Sequence, residues 1–243
     1  MSMRLLGIAG ATVLLFAWAG PLPSLVPQSF AAHMWLHMLV VGVAVPLIAA
    51  WLAPRLAITS ALALPIIVSL LDFFVVWGWH APALHHASRS EPLVLVAEQA
   101  SFFGVSLLVW LVALGSGPGE LHSPLRGGAG GGGRSVITAP PLPSFPPLRG
   151  EGGAVETAVQ GNAALGGAMA LFFTSMHMTL LGSLLGLSPR PLYAGHHGGD
   201  GWLGLSPLAD QQVGGVIMLA IGGVVYLVGG LMLMARVLRR SPA

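Results

Sequence analysis

Residues 33–51 read HMWLHMLVVGVAVPLIAAW, an apolar run in which the two histidines are the only ionisable residues. A helix needs roughly 20 apolar residues to cross the hydrocarbon core of a bilayer, and this run has that length. In an α-helix, His33 and His37 lie one turn apart on the same face. The stretch therefore predicts a membrane-spanning helix that carries a pair of imidazoles near one end.

The composition of the whole chain agrees with a lipid environment. Of its 243 residues, 55% are hydrophobic and 7% are charged, whereas a soluble domain carries about 25% charged residues. The lack of cysteine excludes disulfides, zinc–thiolate sites and cysteine-held iron–sulfur clusters. All ten basic residues are arginines, and they form no basic stripe of the kind that binds nucleic acid. We expect membrane lipid, and no nucleic acid, around this protein.

Five further apolar stretches resemble residues 33–51 in length and character. The six predicted spans are Leu5–Gly20, His33–Trp51, Ile58–Trp77, Leu93–Leu114, Ala163–Leu187 and Val213–Leu238. We therefore predict an all-α fold, a polytopic bundle of about six transmembrane helices.

The arginines predict the orientation of this bundle, because positively charged loops stay on the cytoplasmic side. With the N-terminus inside, only Arg89 and Arg190 of the ten arginines fall on the outer side. Both termini are therefore predicted to be cytoplasmic.

The chain divides into four predicted parts, which are residues 1–32, 33–114, 115–161 and 162–243. The first holds a transmembrane helix and an outer loop or, alternatively, a signal-peptide-like segment, since Arg4 precedes an apolar run and Ser29-Phe30-Ala31 resembles a cleavage site. The second holds spans two to four, and the fourth holds the last two spans and a short basic tail. The third is a Gly/Pro-rich cytoplasmic loop of low complexity, which we predict to be disordered.

Glycines recur on one side of the last two spans. Gly215, Gly222 and Gly229 are seven residues apart, and Gly182 and Gly186 are four apart. Faces of small residues let helix backbones approach closely in lipid. We interpret both faces as helix-packing surfaces.

Ionisable residues gather at one predicted depth, near the outer surface of the bundle. Such residues are costly inside a membrane and commonly mark a functional site. The residues at this level are His33, His37, Asp72, His80, Glu98, His177 and Asp210. We expect no buried arginine beside them, so that a bound cation would balance the carboxylates.

The residue types at this level suit copper. His33 and His37 share a helix face and can hold one metal ion. Met34 lies beside them, and Met176 and Met178 flank His177. Imidazole together with thioether favours copper, especially Cu(I).

Each of these features also has an ordinary structural interpretation. The histidine pair can be hydrogen-bonded at the membrane interface, and methionines usually fill apolar cores. Asp210 can be the N-cap of the last helix. His85-His86 and His196-His197 fall in predicted outer loops, where we interpret them as solvated.

Several stretches of the chain resemble the caa(3)-type cytochrome c oxidase assembly factors, the polytopic CtaG-type family. They are HMWLHML (33–39), WHAPAL (79–84) followed by EQASF (98–102), HMTLLG (177–182), and PLADQQ (207–212) running into GGVIM (214–218).

The resemblance implies a multi-pass protein of the bacterial inner membrane that binds copper at the outer face. It further implies that the protein assists copper insertion into a haem–copper oxidase, with the catalytic subunit of that oxidase as its partner. The metal-binding positions that the resemblance implies are His33, His37, His80 and His177, with Glu98 and Asp210 as nearby acidic partners. Gln99 stands where the family pattern suggests a histidine, and the Gly/Pro-rich loop looks like an addition.

Other functions stay open at this point. His37 and His177 on facing helices can ligate a b-type haem for electron transfer. A copper transporter would need polar residues across the full membrane depth, and the inner halves of the predicted helices offer almost none. In a metal-free assembly scaffold, the histidines would only organise the bundle. The sequence has no nucleophile elbow, no His-Glu-x-x-His motif and no Walker loop, so we expect no enzymatic activity.

Overall fold

The computed structural model describes residues 2–56, 63–115, 151–193 and 204–240. Every regular element within these ranges is helical. The helices are α1 (Met3–Ala19), α2 (Leu22–Leu25), α3 (Phe30–Met38), α4 (Val45–Leu52), α5 (Ala63–Trp79), α6 (Pro82–Ser90), α7 (Pro92–Gly115), α8 (Glu151–Gly186), α9 (Pro207–Ile217) and α10 (Val224–Arg240). A π-helical segment, Leu39–Ala44, joins α3 to α4, and a second, Met218–Gly223, joins α9 to α10.

Five helical units in the described ranges are long and apolar enough to cross a membrane. They are Met3–Leu25, Phe30–Arg55, Pro92–Gly115, Ala164–Gly186 and Pro207–Arg239. A sixth arises if α5 and α6 are taken together as one broken span with a bend of 71°. The prediction of an all-α membrane bundle with about six spans is confirmed.

The bend between α5 and α6 follows from Pro82. A proline disfavours the helical conformation in the residue before it, and Ala81 is accordingly extended, with φ −64° and ψ 134°. Pro82 then starts α6, at a position where its missing N–H is not needed. The break leaves His80 and His85 on the two sides of one sharp turn.

Helix α8 begins at Glu151, before the predicted start at Ala163. Residues 116–150, which make up most of the loop that we predict to be disordered, lie outside the described residues. The cytoplasmic termini and the signal-peptide alternative for residues 1–32 stay predictions.

The π-helical segment after α3 opens one backbone carbonyl to another helix. The N–H of Val45 reaches back to the carbonyl of Val40 instead of that of Val41. The carbonyl of Val41 accepts a hydrogen bond from the hydroxyl of Tyr226 at 3.3 Å. The irregular turn thus connects α10 to the helix that carries His33 and His37.

The glycine faces pack helix against helix, as predicted. A Cβ atom added to Gly215 would lie 2.7 Å from the carbonyl oxygen of Gly182 and 2.9 Å from the Cα of Gly186. Because the closest atoms belong to backbone, no side-chain movement can make room. Helices α8 and α9 therefore touch backbone to backbone.

We expect Gly215→Ala to lower the free energy of unfolding by about 2 kcal/mol, because overpacking forces the two helices apart. Gly104→Ala is the matched control, since an added Cβ there has no neighbour within 4 Å. The control is expected to be neutral or up to about 1 kcal/mol more stable through helix propensity. Unfolding in detergent, followed by far-ultraviolet circular dichroism, measures both. Equal stability of the two variants would contradict the close contact.

Candidate metal centre

Four imidazoles from three helical units meet at one end of the bundle. His33 and His37 lie on α3, His80 follows α5, and His85 lies on α6. Their ring centroids are 4.3 Å apart from His33 to His37, 6.0 Å from His37 to His80, 6.5 Å from His80 to His85, and 4.9 Å from His85 to His33. Each ring therefore lies next to two of the others, and we call the four residues the histidine cluster.

Glu98 of α7 brings a carboxylate to the histidine cluster. Its Oε2 lies 2.8 Å from Nε2 of His33, and its Oε1 lies 3.7 Å from Nε2 of His37. One potential ligand atom from each of His33, His85 and Glu98 lies within 4.8 Å of the other two, which is close enough for one metal ion. The carboxylate would offset part of the charge of such an ion.

The cluster is shielded from solvent, yet many of its polar atoms lack partners. The five side chains are between 0% and 7% exposed. The atoms without a hydrogen-bond partner are His33 Nδ1, His37 Nε2, His80 Nε2, His85 Nε2 and Glu98 Oε1. Buried polar atoms in proteins nearly always have a partner. So many unpartnered nitrogen and oxygen atoms in one place fit a site that takes up a cation.

Two neighbouring groups orient the rings. Nδ1 of His80 donates to the backbone carbonyl of Val76 at 2.7 Å, which leaves the lone pair on Nε2. A metal-bound histidine commonly donates its second ring nitrogen in this way. The amide nitrogen of Gln99 lies 2.8 Å from Nδ1 of His37, and a half-turn of this amide would let its oxygen accept from Nδ1 and leave the lone pair on Nε2 for a metal. Gln99, which stands where the resemblance suggests a histidine, is therefore a positioning residue for His37.

Tyr193, in the segment that follows α8, covers the histidine cluster. Its ring centroid lies 4.3 Å from that of His85 and 4.9 Å from that of Phe30. Its hydroxyl donates to the backbone carbonyl of His80 at 2.9 Å. Burial raises the pKa of the Tyr193 phenol well above its ordinary value, so the hydroxyl stays a neutral donor.

Asp210 of α9 caps the helix that carries the first two histidines. Its Oδ2 accepts from the N–H of Phe30 at 2.6 Å, and its Oδ1 accepts from the N–H of Ala31 at 3.2 Å and from the hydroxyl of Ser29 at 2.7 Å. A carboxylate is favourable at the positive end of a helix. The N-cap of α9 itself is Ser206, so the interpretation of Asp210 as the cap of its own helix is wrong. Both carboxylate oxygens are engaged at α3 rather than at the cluster.

A buried arginine accompanies these carboxylates, and the expectation that none would do so is wrong. Arg89 of α6 is 9% exposed, and its guanidinium donates to the carbonyls of Val26 at 3.0 Å and Pro27 at 2.6 Å. The expectation fails because α6 folds back over the end of the bundle after the bend at Pro82. Arg89 thereby fastens α6 to the connection that leads into α3.

His177 and Asp72 form a separate buried pair. Nε2 of His177 lies 3.1 Å from Oδ2 of Asp72, which also accepts from the hydroxyl of Thr174 at 3.1 Å. Phe73 and Phe173 flank the imidazole, with ring centroids 5.6 Å and 5.5 Å away. The structure therefore pairs His177 with a carboxylate of α5, and among the described residues no hydrogen bond, ion pair or ring contact joins His177 or Asp72 to the histidine cluster.

The methionines that we predicted as further ligands make packing contacts. Met176 is 60% exposed on the outer surface of the bundle. Met34 is buried against Gly214, where an added Cβ would lie 2.9 Å from its Cγ, and Met178 lies beside Gly222 in the same manner, at 3.6 Å from Cβ to Cβ. Filling gaps between helices is the ordinary role of methionine in an apolar core. None of these contacts joins a thioether to an imidazole.

His85 belongs to the cluster, so the prediction that it lies in a solvated loop is wrong. It is 1% exposed, whereas His86 is exposed as expected. A signal was present: His85, Ser88 and Arg89 follow Pro82 with the three- and four-residue spacing of one buried helix face. His196 and His197 lie outside the described residues.

The fold and this cluster define a multi-pass membrane protein with a buried imidazole–carboxylate centre under one end of its bundle. The chain belongs to the cytochrome c oxidase caa3 assembly factor family, Caa3_CtaG, whose family model matches residues 5–131 and 155–240. The predicted resemblance is thereby confirmed. The match leaves out residues 132–154, all of which belong to the predicted Gly/Pro-rich loop. Comparison with curated proteins and with solved structures gave no match.

Proposed function

We propose that the protein binds copper at the histidine cluster, at the outer face of a bacterial inner membrane, and holds it for insertion into a haem–copper oxidase. The observation that carries this proposal is the set of unpartnered atoms on four buried imidazoles and Glu98. Membership of the assembly-factor family supplies the process that the site would serve. The catalytic subunit of the oxidase is the proposed recipient.

The donor set fits copper, and charge favours Cu(I). Imidazole is a good ligand for copper, as it is for zinc, nickel and iron, and copper is the ion that a haem–copper oxidase requires during its assembly. With Glu98 ionised, Cu(I) and the carboxylate sum to zero net charge. Cu(II) would leave an extra positive charge in a buried place, close to the guanidinium of Arg89, and buried uncompensated charge is costly. This argument for Cu(I) does not depend on the methionines.

A haem between two of the imidazoles finds no support in the geometry. The rings of the histidine cluster lie next to one another, with 4.3 Å to 6.5 Å between neighbouring centroids, and a porphyrin does not fit between them. His177, the alternative partner of His37 for a haem, is hydrogen-bonded to Asp72. We therefore propose a bound ion rather than a haem, and a holding role rather than catalysis.

His37→Ala is expected to lose at least nine-tenths of the copper that the wild-type protein retains after purification and dialysis, because it removes one imidazole from a closed set. His86→Ala is the matched control, since His86 is the exposed neighbour of the cluster, and its retained copper is expected to equal that of wild type. Metal analysis by mass spectrometry measures both. Equal copper in wild type and His37→Ala would remove His37 from the site.

In cells, the His37→Ala protein is expected to leave the oxidase short of copper and inactive, while the Glu91→Gln protein, which changes an exposed carboxylate, supports wild-type activity. Copper content and activity of the purified oxidase measure this outcome. Active oxidase with normal copper in cells that lack the protein altogether would count against the assembly role.

A further inference from the structure

A cavity of about 180 Å³ lies beside the histidine cluster, between α6 and the segment that follows α8. Its lining is part polar and part apolar, and consists of Pro82, His85, His86, Arg89, Leu192 and Tyr193. One residue of this lining, His85, is also a member of the buried cluster, where its ring stacks on that of His33. The cavity and the cluster are therefore joined through a single imidazole.

His85 and His86 present imidazoles at two successive depths. His86 is exposed at the cavity, whereas His85 is 1% exposed and its Nε2 has no hydrogen-bond partner. Both residues line the same cavity, so a copper ion held there can pass from one imidazole to the other by replacing one nitrogen ligand with the next. Such an exchange needs no oxidant or reductant, because the ion keeps its charge throughout.

Tyr193 separates the cavity from the cluster. Its ring lies against His85, and its hydroxyl donates to the carbonyl of His80. The same segment is also tied to α9, because the N–H of Leu192 donates to Oε1 of Gln211 at 2.6 Å. Leu192 and Tyr193 lie outside the helices, so this cover can open without breaking a helical hydrogen bond.

Arg89 also lines the cavity, but its charge does not close it to a cation. The guanidinium is turned toward the carbonyls of Val26 and Pro27, and Asp210 attracts it. A positive group at the cavity nevertheless disfavours a bare aquo ion. A copper ion that arrives with anionic ligands suits this surface better.

We propose that this cavity is the port through which copper reaches the histidine cluster, with His86 as the first ligand, His85 as the transfer ligand and Tyr193 as the cover. This inference rests on the proposed function, because it assumes that copper is the cargo of the cluster. It adds a route, two named residues and a preference for copper delivered as an anionic complex.

The test is a stopped-flow measurement of Cu(I) transfer from the anionic bicinchoninate complex to the full-length protein in detergent. Tyr193→Phe keeps the ring and removes the hydrogen bond to His80, so we expect loading and release to become at least threefold faster with unchanged copper at equilibrium. His86→Ala is expected to slow loading at least threefold, again with unchanged equilibrium. Tyr226→Phe is the matched control, because its hydroxyl binds the carbonyl of Val41 instead, and its rates are expected to equal those of wild type.

Wild-type rates in both Tyr193→Phe and His86→Ala, with normal copper at equilibrium, would overturn the port while leaving the copper site intact. A wild-type protein that takes up no copper would overturn the proposed function and the port together. His86 is exposed, so its replacement leaves the fold unaffected and keeps the test decisive even if Tyr193→Phe is unstable.

Discussion

Glu98→Gln is expected to lower the affinity of the protein for copper about 100-fold or more. The carboxylate lies 2.8 Å from Nε2 of His33 and is the acidic group within the cluster. Its removal withdraws one ligand atom and the negative charge that balances the ion, and loss of even an outer partner of a metal site costs 10–100-fold in affinity. Competition with a chromophoric Cu(I) chelator measures the dissociation constant.

The stability of the copper-free protein separates this effect from misfolding. Glutamine has the shape of glutamate, and its amide oxygen can still accept the hydrogen bond from Nε2 of His33, so the copper-free Glu98→Gln protein is expected to unfold no earlier than wild type. Glu91→Gln makes the same chemical change at an exposed position and is expected to bind copper normally. Unchanged affinity in Glu98→Gln would show that the carboxylate is no part of the copper site.

Asp210→Ala is expected to lower the free energy of unfolding by about 3 kcal/mol or more. The substitution leaves the N–H groups of Phe30 and Ala31 and the hydroxyl of Ser29 without their acceptor in a buried place, and each such group costs about 1–3 kcal/mol. It also removes negative charge from the start of α3. Chemical unfolding in detergent measures the loss.

Because α3 carries His33 and His37, the same substitution is expected to weaken copper binding as a consequence of the loosened helix. Glu91→Ala, which removes an exposed carboxylate, is expected to change neither property by more than experimental error. An Asp210→Ala protein as stable as wild type would contradict the capping role that the hydrogen bonds indicate.

The spans could be predicted from the sequence because hydropathy depends on the local run of residues. The pair His33 and His37 could also be predicted, since a spacing of four places two side chains on one helix face wherever the helix packs. Glu98 was identified because a carboxylate inside an apolar span is costly unless it serves a purpose. These features need no knowledge of the neighbouring helices.

The contacts between side chains on different helices could not be predicted in the same way. Depth in the membrane follows from position along a span, but the direction in which a side chain points depends on how each helix is rotated against its neighbours. His177 and Asp72 turn toward each other. Asp210 reaches the start of a helix some 180 residues earlier in the chain, a contact that only the packing of α9 against α3 creates.

The bend at Pro82 explains why His85 and Arg89 are buried although the sequence predicts a solvated loop there. A short stretch between two predicted spans is ordinarily a solvated loop, and the sequence therefore predicts a solvated His85. The break at Ala81 instead folds α6 over the end of the bundle and buries His85 and Arg89. The fourth imidazole of the cluster therefore depends on one proline-induced turn rather than on a longer span.

X-ray absorption spectroscopy at the copper edge of the purified, Cu(I)-loaded protein tests the central claim most directly. We expect a first shell of nitrogen and oxygen atoms, the outer-shell scattering typical of several imidazoles, and the same spectrum for Met176→Leu. A sulfur shell, or a protein that retains no copper, would contradict the assignment of the ion to the four histidines and Glu98.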